Sequence, residues 1–215
     1  MKKSFLITIW SILMLPDAFG QLKGGIDQYH YFRIHSNGSF VPVVHIQSAK
    51  NFYGELRYNY DEEKAFSVNA GKTFSKKGVF SFDVTPMLGL VMGSFKGYNL
   101  NLNLEAERKK FFYSAQAQYT IAATEANEDF FYSWMETGYN FSKRFFAGVS
   151  CQVTKIKLLP MVTDAGIMAG FTLGNFSFPV YYFRPFAKNS FVIAGINYEW
   201  QLKTKRKGFA ISENE

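Results

Sequence analysis

Residues 98–107 read Tyr-Asn-Leu-Asn-Leu-Asn-Leu-Glu-Ala-Glu. In an extended strand, successive side chains point to opposite faces. Tyr98, Leu100, Leu102, Leu104 and Ala106 therefore share one face, and Asn99, Asn101, Asn103, Glu105 and Glu107 the other. Wound as a helix, the same residues would scatter around the circumference and leave no apolar stripe. The stretch is a strand with one greasy side and one wholly polar side. Two questions follow: whether the chain repeats it, and whether the polar side meets bulk water or the inside of a barrel.

The chain does repeat it. Strands are expected at 26–35, 40–47, 52–60, 65–74, 79–92, 98–107, 111–122, 130–141, 145–155, 165–173, 176–183 and 191–200, twelve in all. Asn37-Gly38 is a strong hairpin signal between the first two. In 52–60, Phe52, Gly54, Leu56, Tyr58 and Tyr60 fall on one face. Pro86 interrupts the fifth strand and suggests a bulge. Connections alternate in character. Those at 48–51, 75–78, 108–110, 142–144 and 174–175 are short, while 93–97, 123–129, 156–164 and 184–190 are on the whole longer or more polar. Asp61 to Lys64 is a polar turn.

Lys2-Lys3, the apolar run 5–15, Pro16 and Ala18-Phe19-Gly20 have the order of a secretory signal peptide, so 1–20 is set apart, with cleavage after Gly20. No later apolar run approaches the length of a membrane-spanning helix. Cys151 is the only cysteine, which excludes an intramolecular disulfide even in an exported chain. The formal net charge is +7, but the basic residues sit mainly in turns and in the 201–215 tail. A nucleic-acid binder would gather them on one face, so no nucleic-acid partner is expected. The 24 Phe and 13 Tyr recur along the whole chain, which suits both pleated surfaces and membrane interfaces.

About ten residues is the length a tilted strand needs to cross a bilayer. An open sheet edge in lipid would leave backbone groups unbonded, so closure is favoured. The expected fold is all-β: a closed antiparallel up-and-down transmembrane β-barrel of about twelve strands over 21–200, followed by a charged periplasmic tail at 201–215. An even strand number with alternating short and long connections places both termini on the periplasmic side. The polar faces then line the lumen. The residues expected there are Glu55, Arg57, Asp83, Asn99, Asn101, Asn103, Glu105, Glu107, Gln116, Gln118, Glu136 and Glu199. They either border a narrow channel or form a structural polar plug around Arg57.

Glu55-Leu56-Arg57-Tyr58-Asn59-Tyr60, Gly138-Tyr139-Asn140-Phe141 and the closing Gly195-Ile196-Asn197-Tyr198-Glu199-Trp200 carry a resemblance over nearly all of 26–200. The chain resembles small outer-membrane β-barrel proteins of the Bacteroidetes type. The resemblance implies a bacterial outer-membrane location, with outer-membrane lipid and the barrel-assembly machinery as partners. It also implies that Trp200 is the aromatic residue read at assembly. The chain departs from that pattern by continuing for 15 residues beyond Trp200.

The function expected is non-enzymatic, without cofactor or metal: a narrow passive channel, or a structural barrel presenting its outer loops. Two other classes compete. A lipid-modifying barrel enzyme would draw on His30, His35 and His45 near Ser36, Ser39 and Ser48, since a serine hydroxyl needs a base. A soluble lipocalin-like binding barrel would turn the greasy faces inward.

Overall fold

The computed structural model describes residues 21–33 and 38–202. Residues 1–20, where a signal peptide is expected, His35, Ser36 and the tail from 203 onward lie outside them. Thirteen strand segments follow one another: β1 Leu22–Arg33, β2 Ser39–Ser48, β3 Phe52–Tyr58, β4 Ala65–Lys72, β5 Phe74–Lys76, β6 Ser81–Gly93, β7 Gly97–Arg108, β8 Phe111–Ala122, β9 Phe130–Asn140, β10 Phe145–Ile156, β11 Val162–Leu173, β12 Phe176–Phe183 and β13 Phe191–Leu202. Each pairs antiparallel with its chain neighbours, except that β4 and β5 do not pair with each other and both pair with β6; β1 pairs with β13. The sheet is therefore closed. β4 and β5 form one stave, so the barrel has twelve.

The break within that stave has a simple cause. Gly71 stands opposite Met87 and Phe74 opposite Val84, which is one unbroken register. Pro86 falls in the gap and has no N–H to give the ladder. On the β3 side the ladder continues, with the Thr73 N–H donating to the Asn51 carbonyl at 2.9 Å, and the Thr73 hydroxyl meets that of Thr85 at 2.9 Å. The expected bulge is thus absent: proline removes a hydrogen bond without inserting a residue. Pro179 leaves the same kind of gap in the β12–β13 ladder.

The apolar row of β7 faces outward, with Leu100 50% and Leu102 41% exposed, while Asn99 and Asn101 are buried inside. Leu88, Leu90, Val149, Ile167, Val180 and Ile196 continue the outward belt on other strands. That orientation is the reverse of a lipocalin. The turns 49–51, 77–80, 109–110, 141–144 and 174–175 and the paired ends Leu22 and Leu202 gather at one end of the barrel, and the three-residue connection 94–96 lies at the other. The longer segments 59–64, 123–129, 157–161 and 184–190 gather at the other. Boundaries shift modestly from expectation. β1 begins at Leu22 rather than Ile26, β6 begins at Ser81 rather than Val79, and Gln201 and Leu202 belong to β13 rather than to the tail.

Candidate functional site

The inward residues of β3, β4, β7 and β8 form one connected polar wall. Residues two apart on a strand share a face, so Glu55 and Arg57 project together from β3. Both are buried, and the Arg57 Nε donates to the Glu55 carboxylate. Arg57 Nη1 also donates to Gln118 Oε1 at 2.8 Å and to Asn101 Oδ1 at 3.4 Å. Glu55 Oε2 accepts from the Tyr53 hydroxyl at 2.9 Å and from Asn103 Nδ2 at 3.4 Å. Asn101 donates to Asn69 Oδ1 at 2.9 Å. Gln118 donates to the Thr120 hydroxyl at 2.9 Å, which in turn donates to Asn99 Oδ1 at 2.8 Å. A buried ion pair is tolerable only when its other polar atoms are also satisfied, and these amides do that.

The segment 59–64 folds into the lumen against this wall. Asn59 and Lys64, at its two ends, adopt left-handed backbone angles (φ 56° and 62°), which reverse the chain inward. Lys64 N–H donates to Asn59 Oδ1 at 2.7 Å and Ser94 Oγ holds the Glu63 carbonyl at 2.5 Å, which fixes the fold of the segment. The Tyr60 hydroxyl donates to Gln116 Oε1 at 2.8 Å, and its ring lies 4.3 Å from the Arg57 guanidinium. Burial raises the Tyr60 phenol above its usual range and keeps it a neutral donor. Asp61 Oδ1 accepts from Asn99 Nδ2 at 3.0 Å and Gln118 Nε2 at 2.5 Å. Tyr60 was expected on the outward face with Leu56 and Tyr58. β3 ends at Tyr58, and the left-handed Asn59 turns Tyr60 to the inside.

The opposite wall is aromatic. Trp134, Met168, Tyr181, Phe183, Phe191 and Ile193 form a buried cluster, with Tyr29, Tyr31, Phe112, Tyr132 and Phe146 against it. Trp134 lies 5.2 Å from Tyr29 and 5.1 Å from Tyr181, and its Nε1 donates to Ser150 Oγ at 2.7 Å. Tyr60 meets this wall edge-on at Tyr132, with centroids 5.6 Å apart. The two walls and the inward segment therefore touch at one level of the barrel. Alternation did not reveal this cluster, because β9 and β12 are aromatic on both faces.

On the loop side of that level lies a cavity of about 900 Å³, bordered by Tyr31, Arg33, Tyr60, Asp61, Tyr132, Gln152 and Phe191 among others. On the short-turn side the expected acidic residues are spread out. Asp83 binds Lys77 Nζ at 2.8 Å and pairs in register with Glu105. Glu107 is exposed, while Glu136 is partly buried. Glu199 Oε1 lies 3.3 Å from His45 Nε2, whose Nδ1 is 3.6 Å from Asp27 Oδ2. Trp200 stacks on Tyr198. The structure thus brings Glu55, Arg57, Asn99, Asn101, Asn103, Gln116 and Gln118 into one network. Asp83, Glu105, Glu107, Glu136 and Glu199 stand apart from it.

The histidines do not assemble a catalytic group among the described residues. His30 contacts Gln28 at 2.9 Å and lies against Phe40, on the face opposite to His45 in the β1–β2 sheet. Ser48 Oγ accepts the Phe52 N–H at 3.1 Å and is engaged in the turn.

No protein-family model matches the sequence, and comparison with curated proteins finds no relative. Comparison of structures does find similar barrels. The KdgM porin superposes with a TM-score of 0.58 at 14% identity, over 81% of this chain and 98% of that one. The same porin in complex with disordered oligogalacturonate gives 0.57 at 14% identity, with the same coverage. The NanC porin gives 0.55 at 8% identity, over 84% of this chain and 100% of that one. At such identities the likeness establishes the fold, a closed twelve-stranded porin-like barrel, and nothing about solutes.

Proposed function

We propose that the protein is a bacterial outer-membrane barrel that forms a narrow passive channel, constricted by its own segment 59–64. The observation that carries this reading is a closed barrel with an apolar belt outside. Its lumen is polar along one wall and crossed at one level by Tyr60. In this reading the belt contacts outer-membrane lipid, and the short-turn end with both termini faces the periplasm. β13, with Trp200, is the strand recognised by the barrel-assembly machinery. The small barrels of the Bacteroidetes type, which the strand motifs resemble, are the class it would join. Neither catalysis nor a cofactor is part of the reading.

The porin fold likeness supports a channel, and the lumen chemistry argues about its cargo. Oligogalacturonate, held by the KdgM porin, is a polyanion. Here the one buried lumenal arginine on the polar wall is already matched by Glu55. Polyanions are poor candidates for this lumen.

Conductance in planar bilayers tests the proposal. The wild-type barrel is expected to give small unitary currents. Replacing 60–63 by a short Gly-rich turn should raise them several-fold, because Tyr60 and Asp61 leave the lumen. If neither form conducts, the barrel is a sealed structural one, held shut by the contact between its two walls. Fractionation that finds the protein soluble would remove the membrane reading altogether.

A further inference from the structure

We propose that the loop-side cavity binds small organic cations, with Asp61 as their counter-charge. The inference deepens the channel reading by naming a solute class, and it rests on that reading for its place in the membrane. Asp61 borders the cavity where the inward segment closes it. Its Oδ1 is held by Asn99 and Gln118, but its Oδ2 is buried and has no protein partner. A carboxyl oxygen removed from bulk water and left without a hydrogen-bond partner is costly, and a bound cation would relieve that cost.

The cations nearby, Lys188 apart, are engaged elsewhere. Arg57 is held by Glu55, and Arg184 by Asp164. The Arg33 guanidinium lies over the rings of Tyr31 and Phe191, at 5.2 and 5.6 Å. Among the described residues, no lysine or arginine pairs with Asp61. Glu62, Glu63 and Glu128 add further negative charge to the cavity border.

The rest of the lining suits an organic frame rather than a bare ion. Tyr31, Tyr60 and Tyr132 border it, and aromatic rings attract ammonium groups and cover their methylenes. Gln152 is only 7% exposed, borders the same cavity, and its Nε2 has no partner. It offers one donor to a hydroxyl or second acceptor on the same solute. Beyond the constriction, Glu105 and Glu136 add acidic groups, while Asp83 is matched by Lys77, and Asp27 and Glu199 lie against His45.

Three solutes with one five-carbon frame test this: 1,5-diaminopentane, 1,5-pentanediol and glutarate. Each is titrated calorimetrically into the folded full barrel in detergent. The diamine is expected to bind about tenfold or more tightly than the diol, with no glutarate binding. Asp61→Asn keeps an acceptor for Asn99 and Gln118, and should remove that preference, while Asp61→Glu should restore part of it. Heat-modifiable mobility checks that each variant is folded. Equal affinity for diamine and diol overturns the proposal, as does an undiminished diamine preference in folded Asp61→Asn. A barrel that conducts but does not discriminate the three solutes sinks this inference and leaves the channel. One that binds the diamine through Asp61 yet never conducts keeps the site and sinks the channel.

Discussion

The wall built by β3, β4, β7 and β8 and the wall built by β9 to β13 with β1 face each other across one lumen. They fill it by opposite means. The first is a chain of directed bonds in which Arg57, Glu55, Gln118, Asn101, Asn69, Thr120 and Asn99 each depend on the next. The second is a stack of rings around Trp134, where contact is broad and few bonds are directional. A polar network fails as a unit when one member is lost, because its neighbours stay buried and unmatched. An aromatic cluster loses area in proportion to what is removed.

The largest expected effect comes from breaking the ion pair. Arg57→Leu strands the Glu55 carboxylate, which is 3% exposed, and should destabilise the barrel by about 4 kcal/mol in urea unfolding from lipid vesicles. Adding Glu55→Leu should recover most of that loss, since an uncharged pair leaves no buried ion. If the double variant is as unstable as the single, the wall is held by packing, and the contrast with the aromatic side disappears.

Trp134→Ala comes next, at about 3 kcal/mol, through lost ring contacts and the cavity left behind. Trp134→Phe should restore most of it, because the aromatic wall needs a ring more than a particular donor. No equivalent rescue is expected for Arg57→Lys, whose point charge cannot hold Glu55, Gln118 and Asn101 together in the geometry of a guanidinium.

The same contrast explains what could be read from the sequence. On β7 the Asn-Leu alternation is strict, so the residues that share each face were legible. On β9, Phe-Phe-Tyr-Ser-Trp-Met gives apolar residues to both faces, so alternation sets Trp134 on the face of Glu136 without showing that it joins an aromatic cluster. β12, Phe-Ser-Phe-Pro-Val-Tyr-Tyr-Phe, fails in the same way, so Tyr181 and Phe183 went unassigned although the strand itself was placed correctly. Segment 59–64 was missed for another reason. Asp-Glu-Glu-Lys looks like a solvated turn, and only the left-handed Asn59 sends Tyr60 and Asp61 inward. A tyrosine just past a strand end, followed by an aspartate facing a row of asparagines, was the one available signal. The strand count and the short-turn rhythm survived these misses because they depend on spacing, not on which face is wet.

Glycine substitutions should sharpen the comparison at smaller magnitude. A methyl on Gly89 would stand 1.9 Å from Asn69 Oδ1 and 2.8 Å from the Val68 carbonyl. Gly89→Ala should therefore push Asn69 from Asn101 and cost about 2 kcal/mol, as overpacking does. Gly54→Ala on β3 meets only Ile46 Cγ1, at an ordinary 3.6 Å, and should leave unfolding midpoints unchanged. Similar losses for both variants would mean that backbone freedom, not the space Asn69 needs, explains Gly89.

The smallest expected effect separates the walls most cleanly. Ser150→Ala removes the acceptor of the Trp134 Nε1 bond and should cost about 1 kcal/mol. Thr120→Val removes one hydroxyl from the polar wall, and that hydroxyl both accepts from Gln118 and donates to Asn99. Its neighbours each bond to Asp61 as well, so its loss should reach the inward segment. Taken singly, the two changes can look alike. Their couplings should not: Ser150→Ala combined with Asp61→Asn should be additive, whereas Thr120→Val combined with Asp61→Asn should fall short of the sum. Additivity in both pairs would mean that Asp61 and Thr120 are independent, and the polar wall would be a set of separate bonds with no more cooperation than the rings opposite.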